Sequence, residues 1–254
     1  MAVHGIRLEI SMPSEATRGF ALLPETVANL HVVAFACLML HRLVTVVARA
    51  PNGPLGKRKE GPMQGHVVFI QGAGRGAYDE DRRLAESLRR RLGPRFEVRY
   101  PAMPNEDDAS YEPWRRQIEQ ELAAVPRPMM LVGHSVGASV LVKWLSERKD
   151  EKAIAGVFLV ACPFWGGDGW RYEGYEKLAL PPGFAAELPT GMPVYLYHCR
   201  DDATVPFDHL ALYAQALPRA TVRAFDEGGH QFNDDLSAVA RDIQSLPSNP
   251  LNGM

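Results

Sequence analysis

From residue 66 onward the chain alternates between short, near-continuous apolar runs and longer stretches in which apolar residues return every three or four positions. His66 to Gln71 (HVVFIQ) is β-branched, apolar and closed by glycine, the pattern of a strand buried on both faces of a parallel sheet. The next stretch places Leu84, Ala85, Leu88 and Leu92 at helical spacing, with Arg82, Arg83, Arg89, Arg90 and Arg91 mostly elsewhere as a solvated face. The cycle then repeats. Strands are predicted at Phe96 to Tyr100, Met129 to Val132, Ile154 to Val160, Val194 to His198 and Thr221 to Phe225. Helices are predicted around Trp114, Ile118, Leu122 and Val125, from Ser135 to Ser146, around Leu210, Tyr213, Ala214 and Leu217, and around Leu236, Val239, Ala240 and Ile243. Strands alternating with single helices imply right-handed crossovers. The expected fold class is therefore α/β, a three-layer, mainly parallel sheet flanked by helices. The terminal SLPSNPLNGM has too little apolar content to pack and is expected to fray.

Residues 1–62 break this pattern. Their longest apolar run, Val32 to Leu40, resumes only after His41 and Arg42, short of the roughly 18 to 20 apolar residues of a bilayer span. No membrane span is expected. A secretory signal fits poorly too, because the run starts late and Arg42 interrupts it, although Ala48-Arg49-Ala50 resembles a cleavage site. The remaining readings are an amphipathic helix covering part of the core, or a weakly ordered extension. Pro51 to Gly56 and the Lys57-Arg58-Lys59 run read as a linker, which puts a boundary near residue 62 and the α/β domain at 63–254. Met63 then stands where a complete domain would start.

Charge and cysteine narrow the function classes. The 28 Lys and Arg against 30 Asp and Glu give a net charge of −2, so no positive field exists to gather nucleic acid or anionic membrane. The first 62 residues hold seven basic and four acidic residues, net +3, which leaves 21 against 26, net −5, for the rest. Cys37, Cys162 and Cys199 are odd in number and far apart, which fits reduced thiols and a cytoplasmic location.

Two motifs compete for the chemistry. Gly133-His134-Ser135-Val136-Gly137 is G-x-S-x-G between a buried strand and a helix, the context a nucleophile elbow requires. Side chains at 133 or 137 would crowd the neighbouring strand and helix, so only glycine there lets Ser135 project its hydroxyl from a strained turn. The rival, Gly72-Ala73-Gly74-Arg75-Gly76-Ala77, fits G-x-G-x-x-[GA] after the first strand, as in dinucleotide-binding folds. That reading wants an acid near the end of the second strand, but the strand ends Arg99-Tyr100-Pro101 and its one acid, Glu97, lies in mid-strand. An arginine could serve a phosphorylated cofactor, which keeps an NADP-binding oxidoreductase as a minor alternative. Under the first reading the same loop supplies one oxyanion-hole amide, from Ala73 with Gly74 as the fallback, and Val136 supplies the other.

A serine nucleophile needs a base and an acid to orient it, in the chain order Ser, acid, His for such a sheet. The loop after the fifth strand, Cys199-Arg200-Asp201-Asp202-Ala203-Thr204-Val205-Pro206, offers Asp202, with Asp201 as the adjacent alternative. The loop after the last strand, Asp226-Glu227-Gly228-Gly229-His230, offers His230; Asp226 lies too near it on the same loop to be an attractive acid. His134 is expected to point away from the hydroxyl and His198 to pack in the sheet. No histidine pair has H-E-x-x-H spacing, so no metal is expected; no cofactor is expected either.

These residues resemble the α/β-hydrolase superfamily. Within it they resemble the compact serine hydrolase family that includes the retinoblastoma-binding serine hydrolase and its small bacterial relatives. The resemblance spans about residues 66–246, through the GHSVGA elbow, Tyr100 to Pro104, the Trp114 helix, Asp202 to Pro206 and Gly228 to His230. It implies a minimal fold without an initial antiparallel hairpin or large cap, and Ser135, Asp202 and His230 as a triad. Partner binding does not carry over, since no L-x-C-x-E peptide is present. The expected activity is cleavage of small to medium acyl esters as small-molecule substrates. Phe164, Trp165, Trp170 and Gly74 are candidate pocket residues, against a reading in which the aromatic residues simply roof the core. A non-catalytic interaction protein on the same fold is the alternative function class.

Overall fold

The computed structural model describes residues 63–148, 154–166 and 174–247. The extension and linker, Trp170 and the last seven residues therefore lie outside the described residues. The sheet has six parallel strands in the order β2-β1-β3-β4-β5-β6. These are β1 (Gly65–Ile70), β2 (Phe96–Arg99), β3 (Met129–His134), β4 (Ile154–Val160), β5 (Val194–Cys199) and β6 (Thr221–Phe225). The helices are α1 (Ala77–Leu92), α2 (Tyr111–Ala123), α3 (Val136–Ser146), the one-turn α4 (Phe184–Glu187), α5 (Asp208–Ala216) and α6 (Ser237–Ser245).

Alternation along each strand sends successive side chains to two apolar layers. Val67, Phe69, Val132, Phe158 and Val160 meet Leu84, Leu88, Val239 and Ile243 of α1 and α6 on one face. Val68, Ile70, Leu131, Val157, Leu159 and Leu196 meet Trp114 and Ile118 of α2, Leu141 of α3 and Tyr213 of α5 on the other. Each such fully buried side chain contributes about 1.5–3 kcal/mol. This is the three-layer α/β architecture expected from the pattern.

Two boundaries differ from the periodicity. β3 runs on through Gly133 and His134, which pair with Leu159 and Val160, although neither residue is apolar. The following helix begins at Val136 rather than Ser135, because Ser135 has φ +51° and ψ −125°, outside helical space. Strand order reverses between β1 and β3: the chain leaves β1 toward β2 on one side and from β3 moves steadily to β6 on the other. In open α/β sheets ligands bind at such a switch point, beyond the carboxyl ends of the strands. Ser135 and the Gly72 loop both emerge there.

Candidate active site

Ser135 stands at the tip of the β3–α3 turn, its N–H donating to the Val160 carbonyl at 2.8 Å. Its φ of +51° is strained for a residue with a side chain, at a cost of about 1–3 kcal/mol. The motif glycines explain how the turn closes. A Cβ at Gly133 would lie 2.6 Å from the Cα of Ala138, and one at Gly137 would lie 2.1 Å from the Gln71 carbonyl oxygen. Helix α3 can thus press its first turn against the carboxyl end of β1.

The Gly72 loop is held by two carboxylates. Asp81 accepts the Gly72 N–H at 2.7 Å. Glu106, from a short 3-10 turn (Glu106–Asp108), accepts the N–H groups of Gly76 at 2.9 Å and Tyr78 at 2.7 Å and the side-chain amide of Gln71 at 2.9 Å. The Gly74 N–H donates to the Glu106 carbonyl at 2.7 Å, which removes Gly74 as the fallback oxyanion donor. Among the described residues the N–H groups of Ala73 and Val136 have no protein acceptor, and both lie in segments that border Ser135. The Glu106 carboxylate also occupies the amides at the start of α1 where a dinucleotide pyrophosphate would bind. The glycine pattern there is therefore already satisfied by an internal anion.

His230 lies on the loop after β6. Its Nδ1–H donates to Asp202 Oδ2 at 2.9 Å, and the Asp202 side chain is fully buried. Asp202 Oδ1 also accepts the N–H groups of Thr204 and Val205, at 2.8 and 2.9 Å, and Oδ2 faces His198 Nε2 at 3.2 Å. Burial opposes the Asp202 charge, but the hydrogen bonds from His198 and His230, the His230 charge and the Val205 amide outweigh it. The carboxyl is held far below the usual carboxylate range. Burial pushes the His230 imidazole down, the Asp202 hydrogen bond opposes it and the electrostatic effect of the neighbouring His134 adds to it; the net shift is downward. Asp201, the alternative acid, instead accepts the N–H groups of Gly228 and Gly229, at 3.0 and 2.8 Å, and so anchors the histidine loop.

The histidine loop and the elbow are joined through His134. Its ring lies 4.7 Å from that of His230, and its Nε2–H donates to the His230 carbonyl at 3.0 Å. Among the described residues no hydrogen bond runs directly from Ser135 to the His230 ring; catalytic hydrogen bonds are often long before substrate binds. His134 Nδ1 pairs with Asp81 Oδ2 at 2.8 Å, both side chains being about 1% exposed. Sequence reasoning missed Asp81 and Glu106. Asp81 had a signal, because it falls on the buried stripe of α1, one turn before Leu84 and Ala85. Glu106 had none, since its partners lie about thirty residues upstream in another element.

Of the pocket candidates, Trp165 is buried and stacks on Tyr175 at 5.0 Å, while Phe164 packs edge-on against Tyr213 at 4.9 Å and Phe184 at 6.2 Å. Both belong to the apolar layer under α3 and α5. Gly74 faces open space. Among the described residues no cluster of three or more His, Cys, Asp or Glu could hold a metal ion, and no helix is long and apolar enough to cross a membrane.

The family model described as serine hydrolase matches residues 82–237. Among solved structures, the ydeN gene product from B. subtilis is similar at 20% identity and a TM-score of 0.57, over 71% of this chain and 97% of its own. The esterase domain from a Rhodothermus marinus protein is similar at 16% identity and a TM-score of 0.54, over 73% and 86%. Est1E from Butyrivibrio proteoclasticus has 15% identity and a TM-score of 0.54, over 73% and 88%. At these identities the likeness speaks for the fold. No curated protein sequence matches the chain.

Proposed function

The chain belongs to the serine hydrolase family, and from that premise we propose that it cleaves small to medium acyl esters through an acyl-enzyme on Ser135. The observation that carries the reading is the buried Asp202 bonded to His230 Nδ1, on a loop held by a hydrogen bond to His134, the residue before the strained serine. With Nδ1–H committed to Asp202, the lone pair of His230 rests on Nε2, the tautomer a general base needs.

As the Ser135 oxygen bonds to the ester carbonyl carbon, its proton passes to His230 Nε2. The amides of Val136 and Ala73 receive the negative charge on the carbonyl oxygen. Collapse breaks the ester C–O bond, and the departing alkoxide takes the proton from His230. Water then repeats the sequence on the acyl-enzyme, with His230 accepting its proton and returning it to Ser135. The downward shift of His230 suits this role, because a base must be unprotonated at working pH.

A fluorophosphonate probe and a panel of p-nitrophenyl esters of graded acyl length test the proposal. Covalent labelling with turnover that peaks at short or medium chains is expected. Folded protein that neither labels nor turns over any ester would point instead to a non-catalytic partner-binding role.

The two neighbouring aspartates should separate cleanly. Asp202→Asn is expected to lower kcat by about 10³- to 10⁴-fold, because an amide neither enforces the tautomer nor stabilises the imidazolium. Asp201→Asn, which keeps an oxygen for one of the two glycine amides, should lower kcat by less than about tenfold. Steady-state kinetics on one ester decide this. Equal losses would remove Asp202 from its special position as the acid of the triad.

A further inference from the structure

Beneath His230 lies a second histidine–carboxylate pair that the acyl-transfer scheme does not use. His134 has acceptors at both ring nitrogens: the Asp81 carboxylate at 2.8 Å from Nδ1 and the His230 carbonyl at 3.0 Å from Nε2. A carbonyl oxygen can only accept, so Nε2 carries a proton. The second proton lies between Nδ1 and Asp81. Asp81 already accepts the Gly72 N–H at 2.7 Å and the Gln231 side-chain amide at 3.1 Å, and donors converging on a carboxylate favour its ionised form. Imidazole is also the stronger base of the two by more than about two pH units. Both arguments put the proton on the ring.

We propose that His134 is a permanently charged imidazolium paired with Asp81, and that this buried pair positions the catalytic loops and keeps the His230 ring neutral and ready to act as base. The positioning follows from connectivity. Asp81 holds Gly72, which precedes Ala73; His134 precedes Ser135; and the pair holds both the His230 carbonyl and the Gln231 side chain. One ion pair therefore ties the oxyanion loop, the nucleophile turn and the histidine loop.

The electrostatic part follows from the 4.7 Å between the two rings. A fixed positive charge at that range disfavours a second one on His230, and the Asp81 carboxylate, bonded to the other nitrogen of the His134 ring, opposes this with the smaller effect. The other charged groups around His230 are Asp202 on its Nδ1, with His198 behind it, Asp201 on the Gly228 and Gly229 amides, and Glu80, Arg83 and Asp234 lining the outer side of its loop. Of these Arg83 brings a fixed positive charge, but it is exposed and faces Asp234 at 3.5 Å, so its field at His230 is screened. Burial is the largest single influence on His134 and opposes its charge, but the charge and hydrogen bond of Asp81, the His230 carbonyl and the Asp202 charge together outweigh it, in keeping with a charged ring.

This inference rests on the proposed role of His230, but its first test does not. Ring-nitrogen NMR on the unmodified full chain reads the protonation of His134 directly, and both nitrogens are expected to carry protons between about pH 5.5 and pH 8. An unprotonated His134 nitrogen at neutral pH would overturn the proposal, whether or not the protein hydrolyses esters. The second test is the pH profile of kcat/KM in His134→Gln, with His134→Asn as the companion should the first not fold. Removing the cation should move the acid limb to higher pH, so that activity at pH 6 relative to its plateau falls by about threefold or more below the unmodified ratio. A lower plateau with an unmoved limb would reduce the pair to scaffolding and defeat the electrostatic claim. Absence of turnover in the unmodified protein would instead defeat the hydrolase reading and leave the NMR result standing.

Discussion

Ser135→Ala is expected to lower ester turnover by about 10⁶-fold and to abolish fluorophosphonate labelling while leaving the melting temperature almost unchanged. The separation of the two readouts follows from how the serine is held. Its backbone is fixed by the Val160 carbonyl and by the glycine-enabled packing of α3 on β1, none of which involves the hydroxyl. Among the described residues the side chain makes no protein hydrogen bond, so its removal leaves no buried partner unsatisfied. Alanine also suffers the same strain at φ +51° that serine does, so no stability is regained by relaxing the turn. The residual rate should reflect the unliganded amides of Val136 and Ala73 and binding alone. Ser139 is the nearest serine that could mislead a labelling experiment, but it is buried and its hydroxyl donates to the Pro163 carbonyl at 2.8 Å. Labelling that survives Ser135→Ala would remove the nucleophile from the proposal.

Much of this fold is written locally in the chain. The central strands are buried on both faces, so they appear as unbroken apolar runs such as VVFI and MMLV, and α1 appears through Leu84, Leu88 and Leu92. Hydrophobicity is blind where polar residues join the ladder. Gly133 and His134 pair with β4, yet nothing about their polarity says so; the backbone demand of the elbow does. The three residues proposed as a triad stand out in the sequence because each occupies a stereotyped place, a turn or loop just past a strand end.

Their supports were not readable in the same way. Asp202 sits on His230, but the same carboxylate oxygen also faces His198, a residue whose strand position suggests simple packing. Asp201 was offered as a rival acid, and the glycine amides of the next loop occupy it instead. Glu106 replaces any phosphate at the start of α1, which reconciles a dinucleotide-like glycine pattern with a hydrolase fold. In each case the missing information is a long-range pairing of a polar side chain with a group on another loop or strand. Such pairings depend on where loops cross in space, and no local spacing records them.

Gly137→Ala is expected to prevent stable folding, because the added methyl meets backbone rather than a side chain that can swing away. The new Cβ would stand 2.1 Å from the Gln71 oxygen, 2.7 Å from the Ile70 oxygen and 3.0 Å from the Gln71 carbonyl carbon. Relief requires moving either the first turn of α3 or the end of β1, and β1 is locked between β2 and β3 by parallel ladders on both edges. The cost should exceed about 4 kcal/mol, a large share of the roughly 5–15 kcal/mol by which a domain is stable. A fit control is Gly93→Ala after α1, where φ is +72° but nothing lies within 4 Å of the methyl that alanine would add. There the penalty is conformational alone, about 1–3 kcal/mol, because φ +72° with ψ −174° is backbone that glycine almost alone adopts. Chemical denaturation of both variants makes the comparison, since one isolates left-handed strain and the other adds a clash at the base of the elbow. A Gly137→Ala protein melting within a few degrees of the parent would mean that α3 and β1 can part without loss, and the rigid platform assumed for Ser135 would have to be given up.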